Sequence, residues 1–233
     1  MRRPARPPVA VLFDCDGVLA DSEPVVNALV AAHLSALGWP MTAHEAREAF
    51  LGLSLPAMVP LVEARLGRPL PPGWPAAFSA RIAARMAEGD VPAIPGAAEA
   101  VRALVAAGVP VACASNSGRG ELAAKLRALG LDDAFAGRAV SYEDVPRPKP
   151  HPDPYLAAAR LCGAEPRDCV VVEDSATGAR AGAAAGCRVL GFCRDTPAAA
   201  LLAAGASEAF DDMADLPRLL GLAGHRAAAA AAA

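Results

Sequence analysis

The sequence predicts an α/β protein whose core is a Rossmann-like, doubly wound parallel sheet, with an α-helical cap domain inserted after the first strand. Two observations predict this arrangement. From about residue 91 onwards, short apolar runs alternate with alanine-rich segments of helical character, a pattern typical of βαβ units with helices on both faces of a parallel sheet. Between residues 22 and 89, in contrast, apolar residues recur only at helical spacing.

The first predicted strand is the apolar run at residues 9–13, and it ends at Asp14-Cys15-Asp16-Gly17. An apolar run before a glycine-containing bend is typical of a buried strand that ends at a turn. Ligands of open α/β sheets bind at the carboxyl ends of the strands. Because two neighbouring buried carboxylates are costly without a metal or cationic partner, Asp14 and Asp16 are the first candidates for function.

The remaining elements follow in order along the chain. In the cap region, helices are predicted over 26–37, 55–66 and 78–86. Beyond it, strands are predicted over 109–114, 169–174 and 188–192, and helices over 97–107, 120–129, 154–161, 175–185 and 197–204. We therefore assign residues 1–21 and 92–224 to the core domain, 22–91 to the cap domain and 225–233 to a low-complexity alanine tail.

Composition narrows the class of protein. The chain has 233 residues, of which 54% are hydrophobic and 20% charged, with a net charge of −3. This size suits one core with a smaller insert, and the acidic balance favours neither nucleic acid nor an anionic membrane surface as partner. The six cysteines form no CxxC pair and no signal region or membrane span is evident. We expect a cytoplasmic monomer that binds neither nucleic acid nor membranes.

Polar residues follow several predicted strands and should meet at one edge of the sheet. These residues are Asp14 and Asp16, Ser115 and Asn116, Lys149, and Glu173 and Asp174. Carboxylates suit Mg²⁺, while a serine, backbone N–H groups and one ammonium suit a phosphoryl group. Lys149 lies in a loop between two prolines, and the chain's other lysine, Lys125, is expected on the surface of a predicted helix.

This ordered set resembles the haloacid dehalogenase superfamily of phosphotransferases, in the branch with a helical cap after the first strand. The resemblance covers roughly residues 9–212. Its motifs are Asp14-Cys-Asp16-Gly-Val-Leu-Ala-Asp21-Ser, Ser115-Asn116, Lys149-Pro-His-Pro-Asp, and the segment from Val172-Glu173-Asp174 to Gly186. One motif alone is weak, since Asp-x-Asp-Gly also fits a calcium loop, but four in order carry the resemblance.

The resemblance implies a role for each motif residue. Asp14 would attack phosphorus and form an aspartyl-phosphate, and Asp16 would protonate the leaving group and then activate water. Ser115, Asn116 and Lys149 would bind phosphate. Mg²⁺ would lie between the Asp14 side chain, the Asp16 backbone carbonyl and Asp174, with Glu173 beside it. The expected activity is hydrolysis of a small phosphorylated metabolite, a sugar phosphate or sugar-acid phosphate such as 6-phosphogluconate.

Other activities within this superfamily fit the residues less well. Dehalogenases lack the second aspartate, present here as Asp16, and phosphonatases need a cap lysine, whereas residues 22–90 contain none. β-Phosphoglucomutases carry a cap histidine and a cap arginine where this chain has Val26 and Leu55. The mutase stays an alternative, as does a protein that binds phosphorylated ligands with little turnover.

Two serines have a structural explanation. Ser22 and Ser175 each precede a predicted helix and are expected to cap it, although Asp21-Ser22 also belongs to the first motif. The cap segment expected to contact the substrate is the loop at residues 51–57.

Overall fold

The computed structural model describes residues 8–89 and 91–222, and within them six strands form one parallel sheet. The strands are β1 (Ala10–Phe13), β2 (Val111–Ala114), β3 (Ala139–Val140), β4 (Cys169–Glu173), β5 (Arg188–Phe192) and β6 (Glu208–Phe210). Their order across the sheet is β3-β2-β1-β4-β5-β6. The predicted α/β class with a doubly wound parallel sheet is confirmed.

Helices surround the sheet and also fill the segment that follows β1. They are α1 (Glu23–Leu37), α2 (Ala43–Phe50), α3 (Leu55–Leu66), α4 (Trp74–Ala87), α5 (Ala97–Ala106), α6 (Arg119–Ala128), α7 (Asp153–Leu161), α8 (Ala176–Ala184), α9 (Ala198–Ala203) and α10 (Leu216–Leu219). The predicted helices and strands all occur, with ends shifted by a few residues.

Four further elements were not predicted: β3, β6, α2 and the four-residue helix α10. Strands β3 and β6 span two and three residues, which is too short to produce a recognisable apolar run. Helix α2 has a clearer signal: Thr42 accepts a hydrogen bond from the backbone N–H of Glu45, whose side chain accepts one from the N–H of Thr42. This Thr-x-x-Glu capping box is visible in the sequence.

The sheet order reverses between β1 and β4, at the centre of the sheet. Phe13 of β1 lies level with Cys113 of β2 and with Val172 of β4. The three strands therefore end at nearly the same height, so the residues that follow them meet at one place. In doubly wound sheets this reversal is where ligands bind.

Strand β1 is apolar throughout because both of its faces are covered. Val11 and Phe13 belong to the apolar cluster on one face, and Ala10 and Leu12 to the cluster on the other. All four residues are fully buried. A continuous apolar run, rather than an alternating one, is typical of such central parallel strands.

Helices α1–α4 form the segment between β1 and α5, and two short connections join it to the sheet. The connections pair with each other: Ile94 N–H donates to Leu19 O (3.0 Å), and Asp21 N–H donates to Pro92 O (2.8 Å). We call residues 22–91 the cap segment. The assignment of core and cap as separate domains, with the boundaries given above, stays a prediction.

Among the described residues, no single helix has the length and apolar character needed to span a membrane. Helices α2 and α3 meet these criteria only together, as a pair bent by 112°.

Candidate active site

Asp14 lies at the tip of β1 and is bound by a buried lysine. Lys149 Nζ donates to Asp14 Oδ1 (2.8 Å) and to Glu173 Oε1 (2.6 Å). The lysine is 5% exposed and Asp14 is 8% exposed, so the ion pairs are shielded from water. Burial alone would lower the pKa of Lys149, but the charges of Asp14 and Glu173 outweigh it and raise the pKa. Lys149 therefore stays an ammonium.

Glu173 is the fully buried acid at the end of β4, and both of its oxygens are engaged. Oε1 accepts from Lys149 and from the hydroxyl of Tyr155 (2.7 Å), while Oε2 accepts from the backbone N–H (3.1 Å) and hydroxyl (3.0 Å) of Ser175. The side chain of Glu173 is thus held in one orientation by four donors. Its contacts fit a residue that positions Lys149.

Helix α8 begins directly behind Glu173 and packs closely on it. The hydroxyl of Ser175 accepts from the N–H of Gly178 (3.0 Å), which confirms the expected cap. A Cβ at residue 178 would overlap the Glu173 carboxylate, and one at residue 182 would crowd Val171 and Val189. The glycines of this motif therefore allow the helix to approach the sheet.

The carboxylate of Asp16 is held by a second buried lysine. Lys125 Nζ donates to Asp16 Oδ1 at 2.5 Å, and the hydroxyl of Ser22 donates to the same oxygen. On Oδ2, Ser117 (2.9 Å) and Ser115 (3.2 Å) are the donors. Burial raises the pKa of Asp16, but the ammonium of Lys125 and the hydrogen bonds outweigh it, so the pKa is lowered.

The structure corrects two sequence-based expectations here. Lys125 is not on a helix surface: its side chain is fully buried, and it also pairs with Glu121 one turn earlier in α6. Ser22 precedes α1 but its side chain makes no capping bond, because its hydroxyl is used by Asp16. The i, i+4 spacing of Glu121 and Lys125 alone suggests a solvated ion pair on the helix surface. The scarcity of lysine in this chain was the one feature of the sequence that suggested a different role for Lys125.

Asn116 links three parts of the site. Its side-chain NH₂ donates to Gly52 O of the cap segment (2.9 Å) and to Lys149 O (3.1 Å), and its Oδ1 accepts from Lys149 N–H (3.0 Å). The amide therefore holds the backbone of the lysine loop and ties the loop between α2 and α3 to the sheet. Ser115, at 1% exposure, lies beside Asp16.

Asp174 completes a cluster of three buried acids with Asp14 and Glu173. One carboxylate oxygen from each lies within 4.8 Å of the others. Burial, and then the charges of Glu173 and Asp14, raise the pKa of Asp174 well above its usual range. Gly17 lies against this carboxylate, since a Cβ at residue 17 would overlap it and the backbone there has φ +75°.

The cluster has the composition that a hard divalent cation requires. Asp14, Glu173 and Asp174 carry three carboxylates against the single ammonium of Lys149. Burial, and then the charge of Glu173, raise the pKa of Asp14 to about 7 although Lys149 opposes the change. A cation with two positive charges would balance this excess and keep the acids ionised. The residues therefore fit Mg²⁺.

A cavity of about 840 Å³, including its solvent-filled mouth, opens between the sheet edge and the cap segment. The sheet supplies its polar wall, including Asp14, Asp16, Ser115 and Lys149, and the expected contact loop contributes Leu51, Gly52, Leu53 and Leu55. Val26 and Leu55, at the positions where the mutases carry a histidine and an arginine, both line this cavity.

Comparison with known proteins places this chain in one family. A family model described as haloacid dehalogenase-like hydrolase matches residues 9–186. Hexitol phosphatase B of Escherichia coli K12 is 35% identical over 76% of this chain and 80% of its own length. The 6-phosphogluconate phosphatase of the same organism is 28% identical, over 80% of this chain and 83% of its own.

A solved structure gives the same result. The crystal structure of a HAD family hydrolase from Deinococcus radiodurans R1, with bound phosphate and sodium, is 37% identical to this chain. The two superpose with a TM-score of 0.70, and the match covers 93% of this chain and 96% of the other.

Proposed function

The chain belongs to the haloacid dehalogenase-like hydrolase family and is a phosphoric monoester hydrolase, and from that premise we propose that it works through an aspartyl-phosphate on Asp14 with the help of Mg²⁺. The observation that carries the proposal is the environment of Asp14. This carboxylate is buried at a strand tip and lies in an acid cluster. Lys149 binds one of its two oxygens, Oδ1.

The first half-reaction transfers the phosphoryl group to the protein. A carboxylate oxygen of Asp14 attacks phosphorus, the bond from phosphorus to the leaving oxygen breaks, and Asp16 gives a proton to that oxygen. Lys149 and Ser115 stabilise the charge on the phosphoryl oxygens. Asn116 holds the backbone of Lys149 and so fixes the position of this ammonium.

The second half-reaction hydrolyses the acyl phosphate. Water attacks phosphorus, its proton passes to Asp16, and inorganic phosphate leaves while Asp14 is regenerated. The lowered pKa of Asp16 beside Lys125 keeps this carboxylate ionised, which is the form that accepts the proton. Because Lys125 is the charge that keeps Asp16 ionised, the acid role in the first step requires the carboxylate to turn away from Lys125 and take up a proton.

We propose that Asp14 and Asp174 are the side chains that hold Mg²⁺, with the backbone carbonyl of Asp16. Bound there, the cation would offset the charge of the phosphoryl group and keep the nucleophile ionised. Glu173 lies beside this position, and since its oxygens already accept four hydrogen bonds, its proposed role is to hold Lys149.

The proposed substrate is a small phosphorylated metabolite, in particular a sugar phosphate. Named relatives act on phosphorylated hexitols and on 6-phosphogluconate, and the cavity between the sheet edge and the cap segment is lined by Asp14 and Lys149. A cytoplasmic location is also proposed, because all six cysteines are free thiols.

Hydrolysis of an aryl phosphate with and without Mg²⁺ tests this proposal. We expect Mg²⁺-dependent release of phosphate that is abolished in Asp14→Asn, because the amide is a poor nucleophile. The matched control is Asp132→Asn, an exposed acid-to-amide change that should leave turnover unchanged. Turnover by Asp14→Asn close to that of the parent protein would contradict the proposed nucleophile.

A further inference from the structure

The two walls of the cavity differ sharply in chemistry. The ammonium groups that line the cavity, Lys125 and Lys149, lie on the side of the sheet edge. Both are already paired with acids of the sheet edge or of α6. The cap segment supplies eight apolar side chains, which include Val30, Phe50, Met58 and Ile82. The leaving group of a phosphate ester bound at Asp14 must therefore lie against an apolar surface.

Of the cap residues that the structure describes, two polar side chains line the cavity, and neither is cationic. They are Glu23 and Asn27 of α1. Among the described residues between 22 and 91, no lysine, arginine or histidine lines it. Arg47 of α2 donates to Glu23 Oε2 (2.9 Å), so its charge is paired within the cap segment.

A second anionic group on the substrate would be unfavourable at this wall. It would leave water for an apolar surface without a cationic partner, and binding it to Arg47 would break the ion pair of that arginine with Glu23. An uncharged alcohol avoids both costs, and its hydroxyls can use the amide of Asn27 and the carboxylate of Glu23.

We propose, on the basis of the phosphatase function above, that the physiological substrate is the phosphate monoester of an uncharged alcohol with an apolar face. Esters that carry a second anion, whether a carboxylate or another phosphate, are poorer substrates. This separates the two substrate types expected from the sequence: a neutral sugar or polyol phosphate fits the cavity, and a sugar-acid phosphate does not.

A matched pair of substrates tests the charge rule. Sorbitol 6-phosphate and 6-phosphogluconate have the same carbon chain and differ at the terminal group, an alcohol in one and a carboxylate in the other. With Mg²⁺ fixed, we expect kcat/KM to be about ten-fold or more higher for sorbitol 6-phosphate, because the carboxylate of 6-phosphogluconate would be desolvated without a cationic partner. Equal values, or a preference for 6-phosphogluconate, would overturn the proposal.

Two cap variants test whether this wall causes the discrimination. Asn27→Lys adds a cation to the wall, and Glu23→Gln frees the guanidinium of Arg47 from its ion pair. Each should shift the ratio of the two kcat/KM values by about ten-fold towards 6-phosphogluconate. The controls, Ala28→Lys and Glu48→Gln, change exposed residues of α1 and α2 that do not line the cavity, and should leave the ratio unchanged.

The apolar face is tested with 2-deoxyglucose 6-phosphate against glucose 6-phosphate. The deoxy sugar should be hydrolysed at least as well, because the wall offers few partners for the lost hydroxyl. A preference of more than about ten-fold for glucose 6-phosphate would overturn this part, because a site built to bind that hydroxyl discriminates against the deoxy sugar by about ten-thousand-fold or more. Hydrolysis of an aryl phosphate distinguishes failure of this substrate proposal from failure of the proposed phosphatase function. If the protein hydrolyses the aryl phosphate, only the proposed substrate class is wrong. If it does not, the proposed function is wrong as well.

Discussion

Replacing Lys125 by methionine is the sharpest test of the buried network around Asp16. The ammonium of Lys125 is fully buried between Asp16 and Glu121. Methionine keeps the packing volume close to that of lysine but leaves these two acids without their shared cation. Removing one partner of a buried ion pair costs about 3–5 kcal/mol, whereas a solvated surface lysine changes stability by no more than about 0.5 kcal/mol.

Urea unfolding of Lys125→Met measures this cost directly. We expect the free energy of unfolding to fall by about 3–5 kcal/mol, while Arg127→Met, an exposed change on the same helix, should stay within about 0.5 kcal/mol of the parent protein. Adding Glu121→Gln to Lys125→Met should recover on the order of 1 kcal/mol, because one of the two stranded charges is removed.

Activity gives a second readout for the same variant. Without Lys125 the pKa of Asp16 should rise, because the ammonium is the main charge that lowers it. The limb of the kcat profile that reports the base form of Asp16 should then move to higher pH. A loss of stability below about 1 kcal/mol, with an unchanged pH profile, would refute the reasoning.

Two further predictions concern the acid cluster and the helix behind it. The pKa of Asp14 is raised from its ordinary 3.8 to about 7, so the folded metal-free protein binds the proton more tightly than the unfolded chain. Its stability should therefore fall by up to about 4 kcal/mol as pH rises from 4 to 8. Added Mg²⁺ should raise Tm more at pH 8 than at pH 5, and a metal-free protein that is most stable at pH 8 would contradict this. Gly178→Ala should cost about 1–3 kcal/mol and displace Glu173. The control is Gly120→Ala in α6, whose Cβ would meet only Ala83 at 3.7 Å, and it should be neutral or stabilising. If thermal unfolding shows the same change in stability for both variants, helix α8 has space for a Cβ at residue 178 and the prediction is wrong.

The elements that the sequence predicted are those with long, uniform patterns. The first strand was recognisable because both faces of β1 are buried. Helix α1 ends directly before Gly38, which has the left-handed backbone that is typical of a glycine after a helix. Strands β3 and β6 are held in place by their neighbours rather than by their own two or three residues, so local sequence carries little information about them.

The residues of the candidate site also divide into those that the sequence predicts and those that it does not. Asp14, Lys149 and Asp174 could be predicted because they follow strands or lie in an unusual proline-flanked loop, and the sheet topology brings them together. The contact of Lys125 with Asp16 could not, because the two residues are 109 positions apart in the sequence. Ser22 is only six positions from Asp16, but a serine directly before a helix is also the usual pattern of a cap. A helix-surface pair and a buried ion pair have the same i, i+4 spacing, and only tertiary packing distinguishes them.

The central claim is that Asp14 carries the phosphoryl group during turnover, and rapid-quench mass spectrometry tests it most directly. Protein mixed with excess sorbitol 6-phosphate and Mg²⁺, then quenched in acid within a turnover, should gain the mass of one phosphoryl group. Peptide mapping should locate that group on the peptide containing Asp14, and Asp14→Asn should gain none. Rapid turnover with no phosphorylated protein, or a phosphoryl group that persists in Asp14→Asn, would contradict the account.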